Sequence, residues 1–163
     1  MSVEFVLNGN KVIAESDPAG RLIDVLRKEF GLLDCKEGCG EGECGTCSIL
    51  LDRDLAPACI IALGAVQGRE VQTVEGYSRT DRFALLADCF AQAGAVQCGY
   101  CTPGMVLAGE ALLRKNPNPA EADIRKALSG NLCRCTGYNL IVEAINQAAQ
   151  RNQQRGQSLW SSK

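Results

Sequence analysis

Apolar positions alternate at the start of the chain and change to a helical period beyond residue 20. Val3, Phe5 and Leu7 alternate with polar or outward positions. Asn8-Gly9 is a hairpin signal, and Lys11-Val12-Ile13 supplies the return strand. Pro18 and Gly20 close that pair. In RLIDVLRKEFG (21–31), Leu22, Val25, Leu26 and Phe30 fall at helical spacing, with Gly31 placed as a C-cap. A Gly-rich loop over 36–47 leads into the apolar strand Ser48-Ile49-Leu50-Leu51, and a last strand is predicted at 70–74. The pattern predicts a small α+β sheet with one helix packed across it.

Around Gly76-Tyr77-Ser78, which reads as a linker, composition shifts from β-branched to Ala/Leu-rich. A helix is predicted over 81–93, with Phe83, Leu86, Ala87 and Phe90 on one face and Gly94 at its end. Thr102-Pro103 is an N-cap signal followed by Pro at N1, opening a helix through Lys115. Asn118-Pro119 repeats the signal for a helix ending near Ser129-Gly130. Thr136-Gly137 opens the last one, with Leu140, Ile141, Ala144 and Ile145 as its apolar stripe. Four helices with short connections predict a small bundle. The tail beyond Arg151 is polar and reads as loose, with Trp160 as a weak packing contact. The expected division is therefore 1–76, 77–152 and a flexible tail at 153–163.

Charge narrows the function. The chain carries 17 basic and 19 acidic residues, a net charge of −2, and no basic stripe to neutralise phosphates, so no nucleic-acid partner is expected. No apolar run reaches the ~18 residues of a membrane span. The opening MSVEFVLNGN lacks a basic n-region and an apolar h-region, so no signal peptide is expected and the expected location is cytoplasmic.

Ten cysteines are then the anomaly. A reducing compartment makes structural disulfides unexpected, and clustered thiols there read as metal ligands or redox groups. There is no histidine, which excludes Cys₂His₂ zinc sites, Rieske centres, His-ligated haem and His-based triads. The remaining metal chemistry is thiolate chemistry.

CGEGECGTC places Cys39, Cys44 and Cys47 at the C-x₄-C-x₂-C spacing of plant-type [2Fe–2S] ferredoxins, with Cys59 as the fourth ligand from a separate segment. Gly40, Gly42 and Gly45 permit the backbone to wrap closely and aim N–H groups at sulfur. The alternative is a Cys₄ zinc site. Zinc usually takes two short knuckles, whereas three ligands here share one loop.

QCGYCTPG supplies Cys98 and Cys101, and NLCRCTGY supplies Cys133 and Cys135. Cys101 and Cys135 each precede a predicted helix start. Pairing of those helices would converge two N-termini on one anionic centre. A C-x-C pair cannot bridge itself without strain, so both thiols would serve one site. A second [2Fe–2S] cluster is the reading; a zinc site or buried free thiols are the alternatives. Cys35 and Cys89 fall outside both groups and read as packing thiols, although Cys35 stands close enough to Cys39 to replace a ligand.

CGEGECGTC with Cys59, then QCGYCTPGMV and GNLCRCTGYN, resemble the iron–sulfur subunit of the xanthine oxidase family of molybdenum hydroxylases, over residues 3–150. The resemblance implies a β-grasp ferredoxin-like domain followed by a four-helix bundle, each holding a [2Fe–2S] cluster. It implies that Cys98, Cys101, Cys133 and Cys135 hold the cluster nearest the molybdenum cofactor, and Cys39, Cys44, Cys47 and Cys59 the one farther out. It also implies that Gln97 and Cys135 lie against the pterin part of that cofactor, in a large partner subunit. The length fits a separate small subunit.

The expected function is a relay of single electrons from the molybdenum centre to an FAD-binding subunit or another acceptor, with no substrate site on this chain. The expected assembly is a dimer of heterotrimers. A free ferredoxin is the rival, although a diffusing carrier needs only the first 75 residues. A colourless zinc-stabilised interaction module is the other.

Overall fold

Asn8 and Gly9, both at positive φ (52° and 84°), turn β1 (Val3–Leu7) back along β2 (Asn10–Ala14), in register from Val3 opposite Ala14 to Leu7 opposite Asn10. The computed structural model describes residues 2–155 and 158–160. Helix α1 (Leu22–Lys28) buries Leu22, Ile23, Val25 and Leu26. It stops three residues before Gly31, whose φ of 67° lets Leu32 N–H return to the Leu26 carbonyl. Strands β3 (Ser48–Leu51), β4 (Asp54–Pro57) and β5 (Glu70–Gln72) complete a five-stranded sheet of order β2-β1-β5-β3-β4. β5 runs parallel to β1 and antiparallel to β3.

The predicted last strand ends at Gln72 rather than residue 74, and β4 was not predicted. Its hairpin turn uses Asp52 and Arg53 at φ 49° and 75°, a left-handed pair without the usual glycine. Two short 3-10 turns, Ala58–Ile60 and Leu63–Val66, join β4 to β5.

All four residues of β3 are buried because the strand is covered on both faces. Ile49 and Leu51 belong to the core beneath α1, with Phe5, Leu26 and Leu63. Leu50 belongs to a second core, made by the helices.

Helix α2 (Val74–Tyr77) occupies the segment read as a linker, and Tyr77 is fully buried. Then come α3 (Asp81–Gln92), α4 (Thr102–Lys115), α5 (Glu121–Ala127) and α6 (Asn139–Gln153). Thr80 Oγ1 caps α3 by accepting from Phe83 N–H. The cap of α4 is Cys101 rather than Thr102, and α5 spans only 7 residues. On α3 the buried set is Leu85, Leu86, Cys89 and Phe90, so Cys89 is a core residue as expected, whereas Phe83 and Ala87 are half-buried.

Two further expectations are corrected. Leu140 is 41% exposed instead of lying in the apolar stripe of α6, which is formed by Ile141, Val142, Ala144, Ile145, Ala148 and Ala149. Trp160 is not loosely attached: it is 2% exposed, and its Nε1 donates to Glu110 Oε2 at 2.7 Å. Within the tail expected to be flexible, residues 156–157 and 161–163 lie outside the described residues. No helix among the described residues is long and apolar enough to cross a membrane.

Candidate metal centres

All ten cysteines are free thiols. The loop over 36–47 has Gly40, Gly42 and Gly45 at φ between 67° and 82°. At Gly42 a Cβ would sit 2.9 Å from Ile60 Cδ1, so glycine also admits the turn that carries Cys59.

The consequence is a set of backbone donors on sulfur. Glu41 N–H and Glu43 N–H reach Cys39 Sγ at 3.3 Å, Gly42 N–H reaches Cys59 Sγ at 3.2 Å, and Cys39 N–H reaches Cys44 Sγ at 3.4 Å. The Thr46 hydroxyl lies 3.2 Å from Cys44 Sγ. Ala58 N–H donates to the Cys47 carbonyl, tying the Cys59 turn to the loop.

Electrostatics divides this site into two edges. Cys39 is exposed, and the N–H groups of Glu41, Cys44 and Glu43 hold its thiol down at about 6. Burial pushes Cys47 up to about 12, with the Cys59 thiol as a neighbour. A thiolate on the buried edge therefore requires a cation beside it, whereas the exposed edge is already arranged for charge. Cys35 is also buried and pushed up to about 12, chiefly by desolvation, and its Sγ donates to the Cys47 carbonyl at 3.4 Å. That contact agrees with its reading as a packing thiol.

In the helical half, Cys98 lies on the loop after α3 and Cys101 caps α4. Cys133 and Cys135 stand between α5 and α6. Cys135 Sγ and Cys98 Sγ are 3.6 Å apart, and Cys101 neighbours Cys133. Thr136 donates to Cys133 Sγ from its N–H (3.4 Å) and its hydroxyl (3.0 Å). Burial opposes ionisation of Cys133, yet the Thr136 donors hold its thiol below the ordinary value. Burial, with Cys133 alongside, pushes Cys101 up to about 12, and Cys98 pushes Cys135 up.

The expectation of two converging helix ends is half met. α4 is capped by Cys101, but α6 begins at Asn139, after Gly137 and Tyr138 at φ 65° and 69°. Thr136 does the work assigned to that second helix end.

Among the described residues, no three Cys, Asp or Glu side chains converge as ligands of a single ion. The thiols instead stand in neighbouring pairs: Cys39 with Cys44, Cys47 with Cys59, Cys98 with Cys135, Cys101 with Cys133. A [2Fe–2S] unit takes one such pair on each of its two irons, so the donor sets fit two such units.

Gln97, Cys98 and Cys135 are all exposed. Val96 (45% exposed) and Tyr100 (47%) flank them, and Leu140 reaches Gly94 at the end of α3.

The residues joining the two sites were not anticipated. Leu132 N–H donates to the Cys44 carbonyl at 2.8 Å, one residue from Cys133. Buried Asn131 donates to the Gly45 carbonyl at 3.0 Å and to Ser48 Oγ at 3.3 Å. Tyr100 donates across to the Glu37 carbonyl at 2.6 Å, and Lys36 sits over its ring. An Asn in a turn and a Tyr beside a cysteine carry no sequence signal for such roles.

Gly104, on the first turn of α4, closes this joint: a Cβ there would stand 2.3 Å from the Gly45 carbonyl oxygen and 3.0 Å from Asn131 Nδ2. Gly104→Ala is expected to lower the unfolding free energy by about 1–3 kcal/mol through overpacking. Thermal or denaturant unfolding checks this, and an unchanged midpoint contradicts it.

Residues 5–63 match the 2Fe-2S iron-sulfur cluster binding domain, and residues 73–146 match the [2Fe-2S] binding domain. The nicotinate dehydrogenase small FeS subunit of Eubacterium barkeri is 46% identical, over 93% of this chain and 96% of that protein. The xanthine dehydrogenase iron-sulfur-binding subunit of Escherichia coli O157:H7 is 38% identical, over 89% of this chain and 92% of that one. Among solved structures, quinoline 2-oxidoreductase from Pseudomonas putida 86 superposes with a TM-score of 0.88 at 37% identity, covering 96% of this chain and 98% of the matched one. Similarity over nearly the whole length, with both [2Fe-2S] domain models matched in order, places this chain among the iron–sulfur subunits of the xanthine oxidase family of molybdenum hydroxylases.

Proposed function

We infer that this chain is the electron-transfer subunit of a multisubunit molybdenum-dependent hydroxylase or dehydrogenase. Cys39, Cys44, Cys47 and Cys59 would hold one [2Fe–2S] cluster, and Cys98, Cys101, Cys133 and Cys135 the other. Such a cluster, when bound, accepts and releases one electron at a time. The chain itself sets distance, burial and hydrogen bonding.

The observation that carries this reading is the bond from Leu132 N–H to the Cys44 carbonyl. It gives the two cysteine sets a direct backbone connection, which a chain with two unrelated metal sites has no reason to build. Gly45, Gly104 and Asn131 hold it shut.

Hydrogen bonds to sulfur raise a cluster's potential. Among the described residues, four backbone N–H groups make well-aligned hydrogen bonds to sulfurs of the first set, whereas in the second set one does, that of Thr136, with the Thr136 hydroxyl beside it. The first set therefore belongs to the more easily reduced site, and electrons run downhill from the second set to the first. Exposed Gln97 and Cys135 would face the pterin part of a molybdenum cofactor in a large partner subunit. The first set would deliver to an FAD-binding subunit. We place the assembly, a dimer of heterotrimers, in the cytoplasm.

A redox titration followed by electron paramagnetic resonance tests this in the complex purified through this chain. Two inequivalent [2Fe–2S] signals are expected, with the lower-potential one lost in Cys135→Ala. A single signal, or loss of the higher-potential one, overturns the assignment. Tyr100→Phe removes only the hydroxyl that reaches Glu37. It is expected to cost about 0.5–1.5 kcal/mol in unfolding free energy with iron content intact; an unchanged denaturation midpoint contradicts that role.

A further inference from the structure

A cavity of about 170 Å³, with no cysteine in its lining, opens where the sheet meets the helices. It is lined by Leu50, Arg53, Glu70, Gln72, Arg82 and Arg114. Three guanidinium groups, from the β3–β4 turn, α3 and α4, thus border one polar space.

Their charge is not balanced by the protein around them. Arg82 and Arg114, with side chains only 27% and 19% exposed, address the same oxygen, Glu110 Oε1, through Nε. The other oxygen of Glu110 accepts from Tyr77 and Trp160. Among the described residues, the terminal nitrogens of Arg82 and Arg114 have no acceptor, and neither has any side-chain nitrogen of Arg53. Glu70 is the one other carboxylate on the wall; it is exposed and free to turn toward solvent. Counting it with Glu110, three positive charges face two negative ones.

Arg53 is the one of the three carried on a turn. It holds φ at 75°, next to Asp52 at 49°, where hairpins ordinarily place glycine.

We propose that this cavity binds a phosphate-class oxyanion, either the free ion or a phosphate group carried by a small molecule. The guanidinium fork matches phosphate oxygens in geometry and charge, and three forks from separate elements suit a tetrahedral dianion better than a planar carboxylate.

Equilibrium dialysis of the intact complex against labelled inorganic phosphate, at constant ionic strength maintained with chloride, tests the proposal. Saturable binding is expected. Arg53→Gly, which removes the guanidinium while suiting the backbone, is expected to weaken it about tenfold or more, as loss of a charge-assisted hydrogen bond does. Arg82→Gln is expected to act in the same direction, with iron content reporting that the fold is intact. Displacement by glycerol phosphate would identify a phosphate-bearing small molecule as the natural class, and failure to displace would identify the free ion. Absence of saturable binding, or affinity unchanged in both variants, overturns the site.

Discussion

Cys135→Ala is expected to abolish turnover of the assembled enzyme while leaving the chain folded. Cys135 is exposed and its Sγ stands 3.6 Å from that of Cys98. Alanine leaves Cys98 without its paired thiol, so an iron that the two would hold together loses one of those two ligands. Loss of an outer-shell partner alone costs roughly 10–100-fold in metal affinity or activity, and loss of a ligand costs more. Burial does not oppose the change, because an exposed side chain leaves no cavity. Metal analysis should show the first cluster retained and the second lost. The contrast is Cys89→Ala: Cys89 is fully buried on α3 and touches neither site, so that variant should keep all its iron. Full turnover and a complete second cluster in Cys135→Ala would contradict the assignment.

The largest stability loss is expected at Glu110. Its carboxylate is fully buried and accepts from Tyr77 Oη at 2.6 Å, Trp160 Nε1 at 2.7 Å and Arg114 Nε at 2.5 Å, with Arg82 Nε at 3.3 Å. Burial, reinforced by Glu110 itself, raises the Tyr77 phenol, so the hydroxyl remains a donor throughout the ordinary pH range. A buried ion pair adds little over well-packed apolar residues, but removing one partner strands the others. Glu110→Ala would leave two guanidiniums, a phenol and an indole N–H without their acceptor, at a cost of about 3–5 kcal/mol. Since about 1 kcal/mol moves the midpoint of a domain this size by roughly 2–4 °C, thermal unfolding would show a shift on the order of 6–20 °C. A shift below about 2 °C would mean that the network contributes nothing net.

The parts of the fold legible in the sequence are those with a local cause. Asn8-Gly9 marks its hairpin because that turn needs two left-handed residues. The cysteine spacings mark both sites because thiolate ligands must come from fixed offsets on a tight loop. What was hidden depends on long-range partners. β4 follows a turn whose left-handed residues are Asp52 and Arg53, so no glycine announces it. Leu140 fits the apolar period but falls on the open side, because α6 starts from a left-handed Tyr138 and its phase favours Ile141 and Val142. Trp160 lies in a polar tail, and its partner Glu110 is a single charge inside an otherwise apolar helix face. Neither predicts the other. The joint between the two sites is similarly silent, since Asn131 and Gly104 acquire meaning only when residues 45 and 131 meet in space.

Metal analysis of the complex purified through this chain is the most direct test of the central claim. Two [2Fe–2S] clusters require about four irons per chain, with about one molybdenum for those four irons if the partner is the expected large subunit. Zinc in place of iron, or about two irons per chain with both cysteine sets intact, would contradict the account.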